Sequence, residues 1–212
     1  MSRGRFIVLD GSEGVGKSTN LNFVSEYLES KGATVTVTRE PGGTVLGERL
    51  RSILLERSDD TIHPDAELLL MFAARAQHIH QVILPALAQG NWVLSDRFTD
   101  ASFAYQGGGR NIPISRIGDL EQWVQGELRP DLVLLLDAPV DIGAARTRQR
   151  APVDRFEMEK STFFERVRQA YLQRAATDPQ RYAVIDAAQP VEAVQLELKT
   201  ALNAFLAQSY GV

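Results

Sequence analysis

The sequence predicts an α/β fold, a five-stranded parallel sheet with helices on both faces. Three observations lead there. Short apolar runs of four to six residues alternate with longer helix-period patterns. Several runs are apolar at every position, as strands buried on both faces require. A glycine-rich turn joins the first run to the first helical pattern, the place where open doubly wound sheets hold a ligand.

The elements follow in chain order. "FIVL" (Phe6–Leu9), "TVTVT" (Thr34–Thr38), "WVLS" (Trp92–Ser95), "LVLLLD" (Leu132–Asp137) and "YAVID" (Tyr182–Asp186) read as the five strands. Leu21, Val24 and Leu28 share one face of the first helix, which Gly32 ends. Asp65–Gln89 reads as a long apolar-rich helix, opened by Pro64 and Asp65 and closed near Gly90. Pro85 inside it predicts a kink or a last turn. Thr162–Ala176 and Val191–Ala207 complete the helices. "AYQGGGRNIP" (Ala104–Pro113) is rich enough in glycine to be expected as a loop.

At 212 residues the chain has the length of one domain, 1–212, with room for a substantial core. Its formal charge of −4, with no polybasic block, argues against an electrostatic nucleic-acid binder. With no cysteine, thiolate metal sites and cysteine nucleophiles are excluded. His63, His78 and His80 form no metal pattern, so no histidine metal site is expected. The opening apolar run ends at Asp10 and is too short for a membrane span or signal peptide, so a cytoplasmic location is expected.

Chemistry enters with "GSEGVGKST", Gly11 to Thr19. Gly11, Gly16, Lys17 and Ser18 satisfy G-x-x-x-x-G-K-[ST] between a strand and a helix. In such a loop the backbone N–H groups of Gly11, Ser12, Glu13, Gly14, Val15 and Gly16 curl inward, beside the positive end of a helix dipole that starts near Lys17, Ser18 and Thr19. Lys17 supplies a cation for the outer phosphates, and Ser18 a hydroxyl for Mg²⁺. A nucleoside triphosphate is therefore the expected ligand. No asparagine is followed by lysine, so the guanine-reading N-K-x-D segment of GTPases is missing. A kinase acting on a small phosphorylated acceptor needs a second anion site facing the first. Arg39 and Arg97 follow strands two and three and are candidates.

"TREPGGT" (Thr38–Thr44), "DRF" (Asp96–Phe98), "SFAYQGGGR" (Ser102–Arg110), "LRPDLVLLLDAP" (Leu128–Pro139) and "DRFE" (Asp154–Glu157) follow the P-loop in this order. Together they resemble the thymidylate kinase family over nearly the whole chain. The resemblance implies a P-loop kinase fold, the reaction ATP + dTMP → ADP + dTDP with Mg²⁺, and a homodimer. It implies that Arg97 binds the acceptor phosphate and that Asp96 helps organise the metal shell. Arg39 and Glu40 match a loop near that phosphate, Arg51 a second clamp, and Asp10 an acidic residue near metal and substrate. Ser102 and Gln106 match positions that hydrogen-bond thymine, and Tyr105 one that guards the deoxyribose 2′ position.

The family stacks thymine on a phenylalanine four residues before an arginine of the long helix. Here Met71 is four before Arg75 and Phe72 three before it; Phe72 is taken as the platform because a planar ring stacks better than a thioether. "RTRQRAPVDRFE" (Arg146–Glu157) carries Arg146, Arg148, Arg150 and Arg155. The resemblance makes it a lid, about 146–160, over the ATP phosphates. Family members place a catalytic arginine either in the P-loop or in the lid. Glu13 and Val15 are not cationic, so Arg148, Arg150 and Arg155 of the lid are the candidates.

Overall fold

The computed structural model describes residues 3–56, 61–148 and 155–210. Its five strands are β1 (Phe6–Gly11), β2 (Val35–Arg39), β3 (Trp92–Asp96), β4 (Leu132–Asp137) and β5 (Tyr182–Asp186). All pair in parallel, in the order β2-β3-β1-β4-β5. The register sets Leu9 beside Asp96 and Gly11 beside Leu136. The ends of β1 and β3, where Asp10 and Asp96 stand, therefore lie side by side at the carboxyl end of the sheet's central strands.

Side chains alternate across the pleat of β1. Ile7 and Leu9 join Leu94, Leu134 and Leu136 against Val24 and Leu28 of α1 (Lys17–Ser30) and Leu198 and Leu202 of α9 (Val191–Tyr210). Phe6 and Val8 join Val93 and Val133 on the opposite face, against Ile79 and Ile83. Both faces of the central strands are thus dry, which accounts for runs without polar alternation. Leu134 has no exposed surface, and truncating it to alanine would cost roughly 2–5 kcal/mol.

The other helices are α2 (Val45–Leu55), α3 (Pro64–His78), α4 (Leu84–Ala88), α5 (Thr99–Ser102), α6 (Ile114–Gln125), α7 (Val140–Thr147) and α8 (Ser161–Thr177). Thr44 caps α2 by accepting from Gly47 N–H at 2.9 Å. Pro64 occupies the first turn of α3, where its missing N–H costs nothing. The long helix expected over 65–89 is α3 and α4 joined by a π-helical turn, Ile79–Ile83. Leu84 N–H reaches back to Ile79, a wider turn just ahead of Pro85. Proline would crowd a normal turn there.

The loop expected at 104–113 is corrected over 104–109, while 110–113 is turn and irregular chain as expected. Phe103–Gly109 is π-helical and continues α5. Its three glycines serve close approach, not flexibility. A Cβ on Gly108 would stand 2.8 Å from the Arg166 carbonyl, and one on Gly109 would enter the Phe163 ring, both on α8. Gly108 and Gly109 let this helix press closely on α8, and Gly107 leaves room for Ile114 and Ile117 of α6, so tertiary packing overrides the local reading.

Candidate active site

The P-loop forms at the end of β1. Gly14 (φ 75°) lies so close to the Gly143 carbonyl that a side chain would collide with it. Lys17 is buried and donates to the Gly11 and Ser12 carbonyls at 3.1 and 2.7 Å. Burial, with Arg97 nearby, lowers its pKa from the ordinary lysine value. Gly16 and Ser18 line the cleft beside it, Val15 is buried in the core, and Thr19 lies exposed in the first turn of α1.

Across the cleft, Arg97 holds a positive φ of 70°, rare for a residue with a side chain and common at functional sites. Its guanidinium donates to the Gly11 carbonyl at 2.8 Å and to the Tyr171 hydroxyl at 3.0 Å, and pairs with Glu13 at 2.5 Å. Burial would raise the Glu13 carboxyl, but Arg97 and Lys17 outweigh it and bring it down to about 2. Asp10 accepts from Tyr171 at 2.6 Å and from Gly11 N–H at 2.9 Å. Burial dominates there and pushes its carboxyl up to about 6, against the pull of Arg97. Asp10 Oδ2 and Asp96 Oδ1 are buried and have no hydrogen-bond partner among the described residues. Unsatisfied carboxylate oxygens beside a P-loop suit water-mediated or direct contact with a hard cation.

Beyond Arg97 the cleft continues as a cavity walled by Glu40, Arg51, Leu55, Met71, Arg75, Ser102, Tyr105, Gln106 and Phe156. Arg75 is almost fully buried. Its Nε donates to Glu40 at 2.7 Å and its Nη2 to Ser102 at 3.1 Å, while Nη1 has no hydrogen-bond partner among the described residues. His78 braces the second Glu40 oxygen at 2.9 Å. Gln106 Nε2 is held by Glu67 at 2.8 Å. Tyr105 donates to Glu13 at 3.0 Å, at the junction of loop and cavity. One end of the cleft carries the P-loop with Lys17 and Arg97; the other carries the buried Arg75 guanidinium and the Gln106 amide.

Residues 9–198 match the family model described as thymidylate kinase. The chain is 57% identical over 206 residues to a thymidylate kinase of Pseudomonas putida (strain W619), covering 97% of this chain and all of that one. It is 57% identical to another of Ectopseudomonas mendocina (strain ymp), covering 98% and 99%.

The chain belongs to the thymidylate kinase family.

A crystal structure of thymidylate kinase from Ehrlichia chaffeensis superposes with a TM-score of 0.77 at 31% identity, covering 94% of this chain and 99% of that one. Asp10, Glu13, Lys17, Glu40, Arg51, Arg75, Asp96, Arg97, Ser102, Tyr105 and Gln106 meet in or beside one cleft.

Three expectations are corrected. Phe72 lies in a core cluster with Leu68, Phe103 and Ile117, not in the cavity, and Met71 lines the cavity instead. Glu67, Met71 and Arg75 repeat every four residues and share one helix face, from which Phe72 is turned by one residue. The Arg75 guanidinium lies 4.5 Å from the Phe72 ring, so the ring supports the arginine. Arg39 turns to Glu48 (2.8 Å) at the exposed end of β2, outside the cavity. Arg155 is drawn away from the P-loop, to Glu67 at 2.6 Å and to the Leu54 carbonyl at 2.9 Å. Arg148 lines a second cavity with Ser12 and Glu13, and Arg150 lies outside the described residues. Sequence reasoning missed Glu67, legible only as part of that four-residue spacing, and Tyr171, which nothing local marks.

Proposed function

We propose that the chain transfers the γ-phosphoryl group of ATP to dTMP, giving dTDP, within one cleft. The observation that carries this reading is a P-loop at one end of the cleft and, at the other, a buried Arg75 donor, with no hydrogen-bond partner among the described residues, beside the Gln106 amide. Thymine presents an acceptor, O4, next to a donor, N3–H. Arg75 Nη1 suits the first and Gln106 Oε1 the second. The monophosphate falls between them and the P-loop, toward Arg97 and Arg51.

Phosphoryl transfer needs alignment and charge neutralisation, not a covalent enzyme intermediate. Arg97 and Arg51 hold the acceptor phosphate in line, and a guanidinium does this with two directed bonds where an ammonium cannot. Lys17 leaves its loop carbonyls for the β- and γ-phosphates. Ser18 and Asp96 would hold Mg²⁺, which offsets charge on the bridging phosphate oxygens when bound. Arg148 or Arg150, within a lid of about residues 146–160, adds the remaining cation. The acceptor is already an anion, so no strong general base is required.

We further read residues 1–212 as one working unit that forms a homodimer. Val45, Ile53 and Leu69 expose apolar side chains on α2 and α3 and are candidates for that surface. Among the described residues no helix is long and apolar enough to cross a membrane.

The test is ADP formation from ATP and Mg²⁺ with dTMP, dUMP, dCMP, UMP, AMP, GMP, thymidine or no acceptor. Fastest release with dTMP, weaker release with dUMP and almost none without acceptor are expected. The 5-methyl group contributes only about 1–3 kcal/mol in an apolar pocket, so dUMP is a poorer substrate but still accepted. Equal release with and without acceptor would sink the kinase reading in favour of an ATPase.

A further inference from the structure

Glu67 takes no part in the transfer described above, yet its carboxylate is fully buried and joins three segments. One oxygen accepts from Gln106 Nε2 at 2.8 Å and Arg110 Nε at 3.4 Å. The other accepts from Arg155 Nη2 at 2.6 Å. Arg110 is itself tied to Glu159 at 2.5 Å. Two guanidinium groups already answer the charge of Glu67, and a buried carboxylate demands such pairing. The bond to the neutral Gln106 amide is not needed for that.

What the third bond decides is which end of the amide faces the cavity. An ionised carboxylate only accepts, so it takes the –NH₂ end of Gln106 and leaves Oε1 as the end available to a ligand. The opposite orientation would press the amide oxygen against a carboxylate oxygen and leave a buried acceptor unpaired. Thymine and uracil offer N3–H to such an oxygen. Cytosine has a bare N3 there, which would need the –NH₂ end. Arg155 and Arg110 fix the carboxylate in turn, and Glu40 fixes Arg75 in the same manner on the other wall.

We propose that Glu67 is a positioning residue for base selectivity, locking the Gln106 amide so that the cavity accepts an imide ring and rejects an aminopyrimidine. The inference rests on the reading in which Gln106 meets the base, and goes beyond it by naming what sets the polarity of that contact. An amide at position 67 can donate or accept, so it would release the lock. An aspartate would keep the charge but withdraw from Gln106 by one methylene.

The experiment compares the parent, Glu67→Gln, Glu67→Asp, Gln106→Met and the double variant Glu67→Gln/Gln106→Met. It measures kcat and KM for dTMP and dCMP at saturating ATP, with thermal melting as the check on folding. Both Glu67 variants are expected to lower the dTMP:dCMP ratio of kcat/KM about 10–100-fold, through KM for dTMP, with kcat changed far less. In the Gln106→Met background, Glu67→Gln should leave the ratio where Gln106→Met alone puts it. A ratio shifted by Gln106→Met but by neither Glu67 variant would overturn the positioning role and leave Gln106 as the reader. A Glu67 effect that persists without Gln106 would overturn it too, by showing a different route. If Gln106→Met changes neither KM nor the ratio, the underlying base reading fails first, and the lock with it. Should Glu67→Gln not fold, Glu67→Asp, which retains the charge its two arginines need, decides alone.

Discussion

At the proposed donor end of the cleft, the P-loop is eight consecutive residues, Gly11 to Ser18, joining β1 to α1. At the acceptor end, Arg51 comes from α2, Arg75 from α3, Arg97 from the end of β3, Ser102 from α5 and Gln106 from the π-helical turn behind it. The donor end is a local backbone shape, so it is written contiguously and tolerates little variation. The acceptor end is an assembly of side chains on rigid elements, each held by a buried partner of its own. Changes at the first should therefore act on catalysis with little effect on stability; changes at the second should act on both.

The largest expected effect comes from Lys17→Met. Removing the one cation of the loop should lower kcat by about 10³-fold, as seen in ADP release, while the melting temperature stays near that of the parent. Because Lys17 is held by two loop carbonyls and a loose 4.0 Å pairing with Glu13, a large melting shift would break the contrast.

Next is Arg97→Lys, expected to lower kcat/KM for dTMP by roughly 10²-fold, with KM for ATP changed much less. Arg97 bridges Glu13 and the Gly11 carbonyl, so comparable losses for both substrates would mean that it belongs to the donor end after all.

Arg75→Met tests the double burden of the acceptor wall. KM for dTMP should rise about 10–100-fold, and stability should fall by roughly 3–5 kcal/mol, because Glu40 is left buried with its guanidinium partner gone. Denaturant unfolding separates the two effects.

Asp10 predicts a pH dependence. Burial raises its carboxyl to about 6, so from about pH 4 to 6 the folded chain keeps a proton that the unfolded chain has released. Its contribution to stability therefore falls as pH rises through that window. Asp10→Asn, without ligands, should be more stable than the parent at pH 7.5 by up to roughly 3 kcal/mol. The gain should vanish below pH 4, and activity should drop. Unfolding curves across that range give the sign directly.

The smallest effect is expected from Met71→Phe, which restores a ring to the position facing the base. A flat partner adds about 0.5–1.5 kcal/mol of stacking, so KM for dTMP should fall less than about tenfold. A rise in KM would mean that the thioether is needed to fit the cavity.

The sequence by itself determined the strands, the parallel sheet and the whole donor end, because those follow from short-range rules. Apolar runs bury on both faces, and G-x-x-x-x-G-K-S curls wherever a strand feeds a helix. It also determined which residue types would gather at the acceptor end, through motifs scattered along the chain. Tertiary structure decided the rest. Phe72 and Met71 are neighbours in sequence, and only the packing of α3 against Phe103 and Ile117 turns the ring inward and leaves the thioether on the cavity. Gly107–Gly109 read as a loop until α6 and α8 are laid against them. Arg155 reads as a cation for ATP until the buried Glu67, which it shares with Arg110, claims it. In each case the deciding partner is remote in sequence, and burial made its demand stronger than any local preference.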